Sequence, residues 1–481
     1  MSIATAEPEI PSAPLSTGAE FVSPYPEGRN GPYQNFIWFR TLLTVPKIIR
    51  NPLEAFAKFQ FDAPVSRYKL FSVPFALVND PELIRHVFVE RANVLEAEPL
   101  RQKILRPALR DGMLTAEGDV WRRARKTIAP VFSPRHVNGF ALAMKSATET
   151  FLDDMESGPR QLQMAPVLSR LAYLVLSETL FSGDINEDGE QILADVAKFL
   201  EHLSNADPLD LMGAPEWMPR PTRMRGGGVT DRLRTVVREA AKRRQLRIEA
   251  GESVPEDFLT LLLKAGESEK DRLTIEEIED NIITFIAAGH ETTARALAWM
   301  LYLLAHDEEA RARVEAEVDA LDTETLPPEK WGAQLPWLTA CFEETMRLFP
   351  PAAVIIRRLA ADIDHGDYQI PAGTNIYVSP WVLHRHTTLW DDAAAFRPER
   401  FFGKNRSKID KYAYLPFGMG PRVCIGASFA MQEAQIILAL MLKRFRFDYS
   451  AARKPWPVMK ITIQPDNGMP MRFHRRDGLS R

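Results

Sequence analysis

Cysteine is nearly absent: the 481 residues contain two, Cys341 and Cys424. One pair is no disulfide framework in a chain this long, and it excludes four-cysteine iron–sulfur centres and cysteine-rich zinc ribbons. A reducing cytoplasm is the expected setting. Charge imbalance is missing too, since 60 Lys and Arg against 64 Asp and Glu leave a formal net charge of −4. That is too little to make nucleic acid or an anionic membrane the main partner. The N-terminus lacks the basic flank and apolar core of a signal peptide, and its Pro, Ser, Glu and Ala content reads as a flexible tail over residues 1–30. The most apolar early stretch, FIWFRTLLTVP (36–46), is too short to span a bilayer and carries Arg40. It reads as a core-packed segment, and no membrane anchor is expected.

What is present is an ordinary globular composition, 45% hydrophobic and 26% charged, without internal repeats or a dividing linker. One domain over 31–481 is expected. Charged, amphipathic segments dominate from about residue 80 to 350. VTDRLRTVVREAAKRRQLRIEAG (229–251) repeats apolar residues at helical spacing and ends at a glycine, so it predicts a surface helix. LMGAPEWMPRPTRMRGGG before it (211–228) reads as a loop, its RGGG lacking any phosphate fingerprint. YQIPAGTNIYVSPWVL (368–383) alternates between turn residues and reads as short strands. The fold class is therefore mainly α with a small β region, α+β. The longest helix begins at Thr274, where Thr274-x-x-Glu277 forms a capping box, with an apolar face through Ile278, Ile282, Phe285, Ala296, Met300 and Leu303. Its centre is polar where a buried helix should not be: Gly289, His290, Glu291, Thr292 and Thr293. Either a solvated kink or a buried cavity would account for them, and the apolar flanks favour the cavity.

Cys424 lies in FGMGPRVCIG (417–426). An inert thiol, a nucleophile and an axial iron ligand are the three readings. No catalytic Cys-His signature surrounds it. An iron-bound thiolate needs N–H groups aimed at the sulfur, a tight turn and a helix start just beyond. Gly418, Gly420 and Gly426 with ASFAMQEAQIILALML supply those.

On these residues the chain resembles the cytochrome P450 family of haem-thiolate monooxygenases, and specifically a soluble, bacterial-type member. Phe417, Gly420, Arg422, Cys424 and Gly426 match Phe-x-x-Gly-x-Arg-x-Cys-x-Gly position by position. The resemblance implies one triangular domain with haem b between the long helix and the cysteine loop. Cys424 would bind the iron, Phe417 would shield the sulfur, and Arg422 would pair with a haem propionate. It further implies propionate contacts from Trp121 and Arg125, and from Arg357, although Arg358 competes for that position. Glu344-x-x-Arg347 with Arg400 would form a buried charge network. AAGHETT (287–293) implies that Gly289 widens a groove for dioxygen while Glu291 and Thr292 manage protons above the iron. The helix at 229–251 and the loop before it would form a lid. His384 and His386 are expected in surface or strand hydrogen bonding rather than metal binding, His290 in no catalytic role, and Cys341 in the core.

The implied activity is insertion of one oxygen atom of O2 into an apolar substrate, by hydroxylation or epoxidation of a lipid-like, terpenoid or similar molecule. PPAAVII (350–356) would wall its pocket with Ala352, Ala353, Val354 and Ile355. The chain ends too soon after Cys424 to hold a flavin domain, so electrons are expected from a separate ferredoxin or flavodoxin with its reductase, docking at Arg122, Arg123 and Lys126. A cytoplasmic monomer is expected. A peroxide-dependent peroxygenase, an isomerising haem-thiolate enzyme, and a haem-based gas sensor or electron carrier are the alternatives.

Overall fold

The computed structural model describes residues 50–70, 73–184, 194–195, 198–199, 221–266 and 271–476. The expectations placed on 1–30, 36–46 and 211–220 lie outside them. The helices that frame the site are α1 (Pro99–Leu109), α2 (Gly118–Ile128), α3 (Ala141–Ser157), α4 (Met164–Phe181), α5 (Pro221–Glu249), α6 (Ile275–His306), α7 (Glu308–Ala320), α8 (Pro336–Leu348) and α9 (Ala427–Arg444).

Helix α6 is the axis, and its start follows from its sequence. The Thr274 hydroxyl accepts the Glu277 N–H at 3.3 Å while the Glu277 carboxylate accepts the Thr274 N–H at 2.9 Å, the reciprocal box expected. Its 32 residues run about 48 Å at helical rise. Ile278, Ile282, Phe285, Ala296, Met300 and Leu303 are all buried. It packs on α4, α5, α8 and α9. Helix α4 is long and apolar enough by composition to cross a membrane, yet most of it is buried inside the fold.

Helix α5 starts earlier than expected. Pro221 occupies its first turn, where a missing N–H costs nothing, and RGGG lies within the helix rather than in a loop. The glycines are carried by a helix well anchored beyond them: Arg234 donates to Glu279 at 2.8 Å and Asp280 at 2.6 Å, and Arg238 to Glu279 at 2.7 Å. Helix propagation from such an anchor is cooperative. Gly251 ends the segment at a φ of +72°.

The β region holds a five-stranded sheet in the order β1-β2-β6-β5-β3, comprising β1 (Val65–Leu70), β2 (Val73–Val78), β3 (Leu95–Glu96), β5 (Ile355–Leu359) and β6 (Asn375–Val378). Only the β2–β6 pairing is parallel, with Phe75 opposite Asn375. A second sheet joins β4 (Gln161–Gln163) to β8 (Pro470–Arg475) and β8 to β7 (Phe445–Tyr449). The expected strands past 354 are present, but SPWVL is not one of them. Ser379 caps a short helix, Pro380–Leu383, its hydroxyl accepting the Val382 N–H at 3.4 Å.

Arg347 on α8 is completely buried. Its Nε and Nη2 donate to the two Glu344 oxygens at 2.7 Å each, and its remaining donors reach the carbonyls of His384, Ala393 and Ala395 at 2.8 Å. Arg400 Nε stands 3.6 Å from Glu344, and the Arg397 N–H donates to it at 2.8 Å. The network thus welds α8 to the segment leading toward the cysteine loop. His384 and His386 are buried, not at the surface. His384 Nε2 accepts the Leu415 N–H at 2.8 Å, and burial beside Arg347 and Arg385 pushes its pKa down to about 3, so it stays neutral. His386 is bonded to Ala63 O and to the Thr388 hydroxyl. Arg347→Ala strands the Glu344 carboxylate without its fork, and denaturant unfolding should show a loss of roughly 3–5 kcal/mol.

Candidate active site

The cysteine loop is shaped by two glycines. Gly418 and Gly420 sit at φ of +77° and +65°, where side chains are disfavoured. Gly420 has a second reason: a Cβ there would come within 2.1 Å of the Phe88 carbonyl, on the wide helical turn His86–Glu90. The third glycine differs from expectation. Gly426, at the cap of α9, has a φ of −88° and adds no left-handed freedom. Its N–H instead bonds the Cys424 sulfur.

Cys424 is fixed by its own N–H donating to Phe417 O at 2.8 Å, while the Phe417 ring packs on the main core. Cys424 as a residue keeps surface open to solvent, although protein crowds its thiol on most sides. That crowding raises the thiol's pKa above its ordinary value, against the pull of the Gly426 N–H and the Arg125 cation. Cys341 is fully buried, its thiol pushed well up by burial, as a core cysteine should be.

Beside the sulfur the protein gathers arginines. Arg422 donates to Ala116 O at 2.9 Å, pairs with Glu117 at 2.8 Å and lies 4.1 Å over the Trp121 ring. Burial pushes Arg422 down to about 10, and it pushes Arg101 on α1 down to about 10 with help from Arg357 and Arg422. Burial also lowers Arg357 and Arg125. A guanidinium pushed this way is short of negative charge. Glu117 is shared among them, and Glu98, near Arg101, spends its oxygens on the N–H groups of Leu100 and Arg101. Arg357 lies near this cluster, sharing Glu117 with it, while Arg358 is exposed. Arg101 was not foreseen. LRQK in a helix carries no local signal of where its cation points.

The centre of α6 runs through without a break in the helix. Ala288 is exposed there, in the middle of a long buried run, so the helix wall opens at that point. Thr292, one turn on, donates its hydroxyl to Ala288 O at 2.8 Å. Glu291 turns another way, accepting from Arg295 at 3.2 Å and from the Thr462 hydroxyl at 3.0 Å. The expected acid and hydroxyl therefore do not touch each other. Arg295 and Thr462 are partners that reading the motif missed. Gly289 meets Leu176 of α4, where a Cβ would approach Cδ2 at 3.1 Å, so its bareness also serves close helix packing. His290 is buried, bonded to Ile286 O at 2.7 Å, and kept neutral by burial.

The basic trio on α2 is not a free cationic patch. Arg122 pairs with Asp119 at 2.6 Å, Arg123 with Glu277, and Lys126 with Asp271 at 3.6 Å. Of the stretch expected to wall the pocket, Ala353 is buried and Ala352 exposed, while Ile355 reaches toward Gly418 of the cysteine loop.

A thiol presented on such a loop, just ahead of the start of α9, is the arrangement expected of a haem-thiolate oxidoreductase. The chain belongs to the cytochrome P450 family: the family model described as Cytochrome P450 matches residues 31–470. Curated relatives include 11-oxo-beta-amyrin 30-oxidase of Glycyrrhiza uralensis, 29% identical over 84% of this chain and 79% of the relative. Cytochrome P450 72A397 of Kalopanax septemlobus is 30% identical over the same shares. Echinocystic acid 23-monooxygenase of Saponaria officinalis is 28% identical over 84% and 80%. Among solved structures, the cytochrome P450DA heme domain superposes with a TM-score of 0.76 at 24% identity, covering 86% of this chain and 90% of that one. The protein is thus an oxidoreductase of the monooxygenase type with haem b as cofactor. The residues present fit that group: an open cysteine with an N–H and a cation beside it, and a surplus of guanidinium charge suited to two carboxylates.

In the haem-free protein, Cys424 should react with an alkylating agent while Cys341 does not. Arg125→Leu removes a cation that favours the thiolate, so it should slow alkylation at neutral pH and shift the rate profile to higher pH. Peptide mapping of the labelled protein checks both.

Proposed function

We propose that the enzyme inserts one oxygen atom of O2 into an apolar, terpenoid-like or lipid-like substrate, with electrons from a separate ferredoxin or flavodoxin and its reductase. The observation that carries this reading is the arginine surplus at an open cysteine. Cys424 would hold the haem iron. Arg422, Arg125, Trp121, Arg357 and Arg101 would hold the propionates, and the Gly426 N–H would temper the sulfur. Haem, when bound, supplies dioxygen activation driven by an electron-rich thiolate.

The chain's own contribution is to deliver protons on the α6 side. Thr292 keeps a hydroxyl proton at the opening beside Ala288, and turning it outward exchanges the Ala288 carbonyl for a new acceptor. Glu291 is the acid behind it, and it must leave Arg295 and Thr462 to replenish that hydroxyl. Gly289 leaves the groove wall bare next to both.

Relatives named for oxidising 11-oxo-beta-amyrin and echinocystic acid support an apolar substrate. An electron carrier approaching the cysteine loop would meet the exposed Val89, Val120 and Val423, with Arg122 and Lys126 at the rim after exchange of their own acids. The two free cysteines support a reducing, cytoplasmic location, and we take the protein to act as a monomer.

Turnover with dioxygen and a surrogate reductase, and not with hydrogen peroxide alone, is the expected result. Thr292→Ala should still consume dioxygen but lower product by about 10²-fold or more, the electrons leaving as hydrogen peroxide. Product, peroxide and reduced nicotinamide measured together give the coupling ratio, and an unchanged ratio removes the relay.

A further inference from the structure

One buried acid is left over by this scheme. Glu433 sits on α9, nine residues beyond Cys424, and is 1% exposed. Neither carboxyl oxygen makes a hydrogen bond of good geometry. No charged side chain among the described residues acts on its proton. Burial pushes its pKa up to about 8, and the sole opposing influence is the Thr293 hydroxyl on α6. That hydroxyl is spent on a long 3.3 Å bond to Gly289 O, the same carbonyl that the Thr292 hydroxyl approaches at 3.3 Å. An ionised carboxylate would compete for the Thr293 proton and pull it off Gly289 O. A protonated one leaves that bond intact, because its own O–H donates to Thr293 Oγ1.

We infer that Glu433 is a positioning residue, a neutral carboxylic acid that donates to Thr293 Oγ1 and thereby fixes the Gly289–Thr293 turn of α6 over the cysteine loop. That bond would complete a strand of polar groups from α9 to the turn that carries Thr292: Glu433, Thr293, Gly289 O, Thr292. Burying an acid costs free energy, and a neutral, hydrogen-bonded acid limits that cost. The functional half of the inference rests on the proton-delivery role proposed above. The chemical half does not.

The sign of the stability effect follows from the proton count. The folded protein keeps the Glu433 proton while the unfolded chain releases it, so the wild type loses stability as pH rises from the ordinary glutamate value of 4.5 to about 8. Glu433→Gln has no such proton. Its Tm should therefore gain on the wild type across that window.

Infrared difference spectra of the folded protein at neutral pH, wild type against Glu433→Gln, should show a protonated carboxyl stretch, and Thr293→Val should shift that band. In coupling assays Glu433→Gln, which still donates through its amide, should keep the product-to-electron ratio that Glu433→Leu lowers. A carboxylate band at neutral pH overturns the neutral acid, and an unshifted band in Thr293→Val overturns its partner. Uncoupling by Gln as deep as by Leu overturns the positioning role. If the infrared results hold while Thr292→Ala stays coupled, the proton-delivery reading has failed and the assignment of the acid to Thr293 stands.

Discussion

A guanidinium keeps its charge at every pH a cell meets, so the arginines around the cysteine loop set a condition that the rest of the site must satisfy. They arrive from separate elements: Arg101 from α1, Arg125 from α2, Arg357 from β5 and Arg422 from the loop itself. Burial and mutual repulsion work against their gathering, and Glu117 offsets only part of it. In the proposed reading, the two haem propionates would supply what is missing. The cofactor is then a structural ligand as well as a chemical one, because a group that binds only the folded chain stabilises it by mass action.

The opposite wall follows a different logic. Helix α6 packs mainly through apolar residues, with buried Glu279 and Asp280 met by Arg234, and its wall opens at Ala288. Its hydroxyl and its acid are parked on separate partners, Thr292 on the helix backbone and Glu291 on Arg295 and Thr462. Parking them apart keeps both polar groups satisfied, and the proton delivery proposed above would need them to rearrange.

Much of this architecture was legible in the residues because it is local. Thr274 and Glu277 announce the start of α6 through a bond three residues long, and FGMGPRVCIG specifies its own turn. The Glu344–Arg347 pair was legible as a spacing, but its burial depended on Arg397, Arg400 and three distant carbonyls. What escaped was long-range. β1 and β2 carry a proline at position 74 and exposed Tyr68 and Val73, so their pattern gave no clean alternation until β6 paired alongside. Arg101 and Thr462 belong to the site only through contacts that span much of the chain, whereas Arg295 meets Glu291 one helical turn away. The glycines of RGGG misled because propensity is weak against a helix anchored beyond them. The cations of α2 misled for the opposite reason, since Asp271 and Glu277 that neutralise two of them lie far off in sequence.

The close approach of Gly420 to the Phe88 carbonyl bears on how such a loop can be altered by design. With no room for even a methyl group, position 420 is closed to diversification unless the turn at His86–Glu90 is rebuilt with it. Val423, exposed and one residue from the sulfur, and Arg125 across from it are the open positions. A library aimed at the electronic character of the sulfur therefore has two adjustable sites and one fixed hinge, and helical segment 86–90 belongs to the loop's design as much as the loop does.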